Sequence, residues 1–122
     1  MKTPEPFQFI VRRQRWASQV INVLCEAHGV TRQALKSTSR VEELVWLRFI
    51  AMVIIRENSS LSLNQIGSMF GNRHHKGILH AIVRVRDRCD AYPEFALEMK
   101  AWREHFAAGR PASMPAKVRL VA

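Results

Sequence analysis

The sequence has few of the residues that build catalytic or metal sites. Its two cysteines, Cys25 and Cys89, are isolated and lack the Cys-x-x-Cys spacing of zinc or redox motifs. The chain contains no Gly-x-x-x-x-Gly-Lys-Ser/Thr phosphate loop, and no Ser-His-Asp, Cys-His or paired carboxylate arrangement stands out. We therefore expect a protein that is not an enzyme and that holds neither a cofactor nor a metal ion.

The sequence also lacks a hydrophobic run long enough to cross a membrane. Its longest apolar stretch, residues 44–55, is interrupted by Arg48, whereas a spanning helix needs about 20 mostly apolar residues. The first 15 residues include Pro4 and Pro6 and contain no apolar segment typical of a secretion signal. We expect a cytoplasmic protein with no membrane partner.

Acidic residues are scarce. The chain has 10 Asp and Glu against 19 Lys and Arg, which gives a formal net charge of +9. A hydrophobic content of 48% in 122 residues is typical of one folded domain. The charge favours a polyanionic partner, either nucleic acid or an acidic membrane surface, and does not by itself choose between them.

Apolar residues recur at helical spacing along most of the chain, which predicts an all-α domain over residues 14–108. We expect a first helix over residues 14–28, a short turn that Thr31 caps, and a polar loop over residues 36–40. Residues 1–13 are interpreted as an N-terminal extension and residues 109–122 as a basic, flexible tail.

Two Ser-x-x-Glu/Gln capping boxes predict the starts of further helices, one at Ser39 and one at Ser62. The first box should open a central helix that ends near residue 57 and is apolar nearly all round, so that the other helices surround it. The second should open a short helix that ends near Phe70. A Gly71-Asn72 turn, an amphipathic helix over residues 75–89 and a last helix from Pro93 should follow.

A short capped helix, a turn with glycine and a longer amphipathic helix make the pattern of a helix-turn-helix, here over residues 62–88. Four basic or histidine residues cluster where the second helix begins: Arg73, His74, His75 and Lys76. Their hydrogen-bond donors and the positive end of the helix dipole suit phosphates and base edges in a DNA major groove.

Two other interpretations of this cluster remain open. Arg73 and Lys76 could be ordinary surface charges, and the two histidines could simply cap the helix. A metal site built from His74, His75 and His80 is less favoured, because these positions lack the i, i+4 spacing of a paired histidine site.

Three segments resemble the C-terminal DNA-binding domain of the bacterial replication initiator DnaA. They are Arg-Phe-Ile-Ala-Met at residues 48–52, Ser-Leu-Asn-Gln-Ile-Gly-Ser-Met-Phe-Gly at 62–71, and Asn-Arg-His-His-Lys-Gly-Ile-Leu-His-Ala at 72–81. The last segment is similar to the family's Gly-Gly-Arg-Asp-His-Thr-Thr-Val-Leu-His-Ala. The resemblance covers residues 14–106 and implies a Trp-repressor-like helical bundle with the helix-turn-helix packed on the long buried helix.

The resemblance also implies which residues contact double-stranded DNA. The residues placed in the major groove are Arg73, His74, His75, Lys76 and Gly77, and Arg40 is placed in the adjacent minor groove. The residues placed on phosphates are Arg48, Arg56, Ser62, Leu63 and His80. We expect a sequence-specific binder, bacterial or phage and associated with the nucleoid, that acts in replication control, transcription regulation or mobile-element biology.

The chain departs from the family at the segment that reads bases. His74 stands where the family has Asp, which only accepts hydrogen bonds, and Lys76 and Gly77 stand in place of threonines. Trp46 and Phe49 are also unusual for the family. They open a second hypothesis, in which the domain is a protein-interaction module that binds its partner through the Trp46 and Phe49 surface and has only non-specific DNA affinity. RNA binding ranks lower, because the aromatic residues lie on apolar stripes.

Overall fold

The computed structural model describes the backbone of residues 5–107 and the side chains of residues 15–107. Within that range the chain forms helices only, without a strand, which confirms the all-α prediction. The helices are α1 (Glu5–His28), α2 (Arg32–Lys36), α3 (Glu42–Asn58), α4 (Leu63–Met69), α5 (His75–Ala91) and α6 (Pro93–Ala107). None of these helices is long and apolar enough to cross a membrane.

Helix α3 is the centre of the bundle, as its sequence predicts. It contacts each of the other five helices, and because its apolar side chains point in every direction, each neighbour covers part of it. Its buried residues are Leu47, Arg48, Ile50, Ala51, Met52, Val53, Ile54 and Ile55.

Helix α1 begins earlier than its sequence predicts, at residue 5 instead of residue 14. Pro6 does not prevent this, because a proline in the first helical turn loses no hydrogen bond. The helix ends before Gly29, whose φ of +67° lies in the left-handed region that suits a helix end. The predicted tail over residues 109–122 lies outside the described residues.

The two capping boxes have different outcomes. The box at Ser62 forms, because its hydroxyl accepts the Gln65 amide and the Gln65 side chain accepts the Ser62 amide. The box predicted at Ser39 is wrong, since α3 begins after Val41 without a side-chain cap. Instead, the Ser39 hydroxyl accepts the Val41 amide within a local turn, and Arg48 donates to the Ser39 carbonyl.

Helices α5 and α6 close the bundle on α3. The inward face of α5 presents Ile78, Ala81 and Val85, all fully or almost fully buried. The buried face of α6 includes Trp102 and Phe106, whose rings stack with their centroids 5.7 Å apart. Because these contacts hold the middle of α5 against the core, its first turn and outer face remain at the surface.

Candidate nucleic-acid interface

The turn between α4 and α5 requires glycine at two positions. At Gly67 a β-carbon would overlap the Arg73 carbonyl oxygen, so only glycine lets the turn fold back on α4. This close approach allows the Arg73 amide to donate to the Gly67 carbonyl at 2.9 Å. Gly71 and Asn72 then adopt φ of 81° and 58°, which produces the sharp change of direction that the sequence predicts.

His74 caps the start of α5. Its Nδ1 accepts the backbone N–H of Lys76 at 3.2 Å, so one of the free amides at the helix start is satisfied. The rings of His74 and His75 lie 4.1 Å apart, centroid to centroid, with an angle of 34° between their planes. His74 and Lys76 are exposed, and a β-carbon at Gly77 would meet open space. The first turn of α5 is therefore available to a ligand.

Arg73 has an intramolecular role that its sequence pattern does not reveal. Its Nη2 donates to the Ser37 carbonyl at 2.7 Å, and the side chain is half-buried. This hydrogen bond joins the α4–α5 turn to the loop between α2 and α3. Gly71 adds a second link, because it lies so close to the Lys36 carbonyl that a β-carbon would overlap it.

Arg48 does not lie where a phosphate contact requires, and the expectation from the family resemblance is wrong here. The side chain is only 4% exposed. Its guanidinium donates to the carbonyls of Leu35, Ser39 and Ser37 at 2.6, 2.7 and 2.9 Å. Burial, with a smaller contribution from the nearby Arg73 charge, lowers the pKa of Arg48. Arg48 thus binds the loop from inside, and each of its three guanidinium nitrogens donates within the protein.

The loop over residues 37–41 carries Arg40, which is exposed. Two guanidinium groups hold the backbone of this loop, since both Arg48 and Arg73 donate to the Ser37 carbonyl. The loop is therefore fixed to the helix-turn-helix at one side and to α3 at the other. Arg40 is thus an exposed residue of a loop whose backbone is hydrogen-bonded to the turn before α5.

The remaining residues expected at phosphates lie in different environments. Arg56 is exposed in the last turn of α3, and Ser62 is exposed at the start of α4. Leu63 is half-buried against the core, so its backbone amide is the group that could reach a phosphate. His80 is exposed on α5, one turn beyond Lys76, and its ring packs edge-on against Phe49 at 6.0 Å.

The charge pattern of this region favours an anionic ligand. Residues 62–86 contain no Asp or Glu, and neither do residues 27–41. These two segments contribute the helix-turn-helix and the Arg40 loop, and both carry only positive and neutral side chains, although the exposed Glu42 and Glu43 follow directly after the loop. The excess of positive charge in these segments attracts a polyanion.

Trp46 and Phe49 form an aromatic cluster whose rings are in contact with other side chains of the protein. The Trp46 ring lies 5.4 Å from Phe49 and 5.8 Å from Phe95, edge-on to both. The Arg88 guanidinium lies over the Trp46 ring at 4.2 Å, in a cation–π contact that could not be foreseen because residues 46 and 88 are distant in sequence. A cleft of about 360 Å³ adjoins this cluster, lined in part by Glu42, Arg84, Asp87 and Tyr92.

The histidines do not assemble a metal site. Within the described part of the chain, no group of three or more His, Cys, Asp or Glu side chains comes together. His74 and His75 are in ring contact, whereas His80 lies against Phe49. His74 and His75 therefore lie together at the start of α5, and His80 lies apart from them.

Comparison with known proteins places the matched region across this interface. The family described as bacterial dnaA protein helix-turn-helix matches residues 17–85. The chromosomal replication initiator protein DnaA of Bacteroides fragilis is 30% identical over 81 residues, and that of Ureaplasma parvum is 28% identical over 85 residues. These alignments cover 66% and 70% of this chain but only 17% and 19% of the two relatives. No solved structure matches.

Proposed function

We propose that this chain, which belongs to the bacterial dnaA helix-turn-helix family, binds double-stranded DNA sequence-specifically, with the first turn of α5 in the major groove. The family is one of DNA-binding helix-turn-helix domains. The proposal assigns base contacts to Arg73, His74, His75, Lys76 and the backbone near Gly77. Arg40 is assigned to the adjacent minor groove.

The observation that carries the proposal is the connection between the two basic segments. Arg73 donates to the Ser37 carbonyl, and Gly71 packs on the Lys36 backbone. Because these contacts fix the backbone of the Arg40 loop relative to the start of α5, both segments can engage adjacent grooves of one duplex without first ordering that loop. Arg73 supports this geometry in addition to any contact of its own with DNA.

Phosphate contacts complete the proposed interface. We assign them to Arg56, His80, the Ser62 hydroxyl and the Leu63 amide. Contacts of this kind set the register of the protein on the duplex and contribute salt-dependent affinity without sequence preference. Arg48 is left out of this set because its donors are bonded within the protein.

The biological setting follows from the family and is part of the proposal. The relatives are named as chromosomal replication initiators, and the chain spans less than a fifth of their length. We propose that it acts on DNA as a non-catalytic domain in the cytoplasm, associated with the nucleoid, in replication control, transcription regulation or mobile-element biology.

The experiment is selection of bound duplexes from a random library at about 0.15 M salt, where non-specific phosphate attraction is already weakened. We expect one short motif to be enriched. His75→Ala and Lys76→Ala should relax the motif at particular positions. Arg56→Ala is the matched control, because it should weaken binding to all duplexes about equally and lower the salt dependence.

Absence of any enriched motif, with affinity that falls steeply as salt rises, would contradict sequence-specific binding. That outcome would favour a protein-interaction module at the cleft beside Trp46. The protein-interaction hypothesis predicts that a pull-down recovers one protein in stoichiometric amount, and that a Trp46→Ala variant no longer captures it.

A further inference from the structure

The cap on α5 determines which tautomer the neutral His74 ring adopts. A backbone N–H can only donate, so the His74 Nδ1 that accepts the Lys76 amide carries a lone pair and no proton. The neutral ring must then carry its proton on Nε2. The helix start thus fixes one tautomer of this exposed side chain.

The same contacts restrict the direction of the remaining donor. The ring is held at one edge by the cap and on its face by the ring of His75, 4.1 Å away. Since the two nitrogens of an imidazole point in diverging directions, Nε2–H points away from the backbone that Nδ1 contacts. His74 therefore presents a single, oriented hydrogen-bond donor beside Lys76.

We propose that His74 is a specificity-determining residue, whose Nε2–H selects a base with a hydrogen-bond acceptor in the major groove. This inference rests on the proposed function, because it requires the first turn of α5 to face base edges. Guanine offers N7 and O6, adenine offers N7 and thymine offers O4, whereas cytosine presents only an amino donor there. His74 should accept guanine, thymine or adenine at the base that it faces and reject cytosine.

The proposal reverses the hydrogen-bonding polarity of this position within the family. Aspartate, which the family's similar segment has at the position of His74, also caps a helix but offers only acceptors to a base. An acceptor suits the amino group of cytosine, which is the base that His74 should exclude. A single residue would thus preserve the cap while it changes the DNA sequence that is read.

The test compares motifs selected from the same random duplex library by the wild type, His74→Asp and His80→Asp. Aspartate at position 74 retains a cap, so the variant should fold. We expect its motif to differ from the wild-type motif at one base pair, with cytosine in place of the acceptor-bearing base that the wild type selects. The preference for the favoured base should change by about 5- to 150-fold, the range for one good base contact.

His80→Asp is the matched control, because it makes the same substitution at another exposed histidine, six residues further along the chain on α5. It should weaken binding to all duplexes and leave the motif unchanged. An identical motif for His74→Asp and the wild type would overturn the role of His74 while the proposed function stands. The same base change in both variants would also overturn it, since charge alone would then be the cause. A wild type without any motif would overturn the proposed function itself, and this inference with it.

A second measurement tests the inference without DNA. Long-range ¹H–¹⁵N NMR of the histidine rings in the intact protein, at a pH where histidines are neutral, distinguishes the two tautomers. We expect His74 to carry its proton on Nε2. A proton on Nδ1 would overturn the proposal, because the cap could not then form and the donor would not have a fixed direction.

Discussion

Replacement of Arg48 by alanine separates a structural arginine from a DNA-binding one. Three short hydrogen bonds join its guanidinium to the carbonyls of Leu35, Ser37 and Ser39. A hydrogen bond to a charged group contributes about 1.5–3 kcal/mol. The gross contribution is offset by the cost of burying a charge that has no carboxylate partner, which is several kcal/mol.

The expected net result of Arg48→Ala is a loss of about 2–4 kcal/mol in the free energy of unfolding, because three carbonyls lose their donor. For a domain of about 100 residues this corresponds to a fall in Tm of about 8–16 °C. Urea and thermal unfolding followed by circular dichroism measure both quantities. Arg48→Lys should also be destabilised, since one ammonium group cannot reach carbonyls that surround a planar guanidinium.

Arg56→Ala is the control for this experiment. Arg56 lies on the same helix but is exposed, so its removal should change stability by no more than about 0.5 kcal/mol. It should instead lower the dependence of DNA affinity on salt. The reasoning is refuted if Arg48→Ala behaves in the same way, with wild-type stability and a reduced salt dependence, because Arg48 would then contact phosphate.

Three further predictions concern packing, capping and thiol chemistry. Gly67→Ala should destabilise the fold by about 1–3 kcal/mol, because the added β-carbon overlaps the Arg73 carbonyl. Gly77→Ala should be neutral or stabilising by up to about 1 kcal/mol, because it adds a better helix former in open space. Equal urea midpoints for the two variants would contradict this prediction. Ser62→Ala should cost about 1 kcal/mol through loss of the α4 cap, and an unchanged urea midpoint would argue against the capping box. Burial is the main cause that raises the pKa of the Cys25 and Cys89 thiols. At pH 8 a smaller fraction of each thiol is therefore the reactive thiolate, and alkylation by iodoacetamide should be slower in the folded protein than in urea. Equal alkylation rates would show that burial does not protect these thiols.

Most of the helical framework follows from local patterns. The apolar spacing along α3, α5 and α6 predicts which faces are buried, because a helix brings every third or fourth residue to one side. The Ser62 box, the Gly71-Asn72 turn and Pro93 predict boundaries, since each satisfies or removes a backbone group at a helix end. The candidate binding surface is foreseeable for a similar reason, because its basic residues cluster at one helix start.

Local sequence patterns do not predict which arginines are buried. Arg40 and Arg48 both look like exposed charges in the sequence, yet Arg40 lies at the surface and Arg48 is 4% exposed. If a buried arginine is paired with a carboxylate, the sequence contains an Asp or Glu that can be considered as its partner. Arg48 is bound by backbone carbonyls, which every residue possesses, so no side chain in the sequence marks its partners.

The sequence by itself determined the all-α bundle, its central helix and the basic start of α5, because these depend on periodicity and on groups close together in the chain. Only the tertiary structure decided that one Ser-x-x-Glu/Gln pattern forms a capping box and the other does not. At Ser39 a guanidinium from the next helix binds the carbonyl, and a local turn uses the hydroxyl. It also decided that Arg73 joins the turn to Ser37, a contact across 36 residues whose formation depends on how α2, α3 and α4 pack.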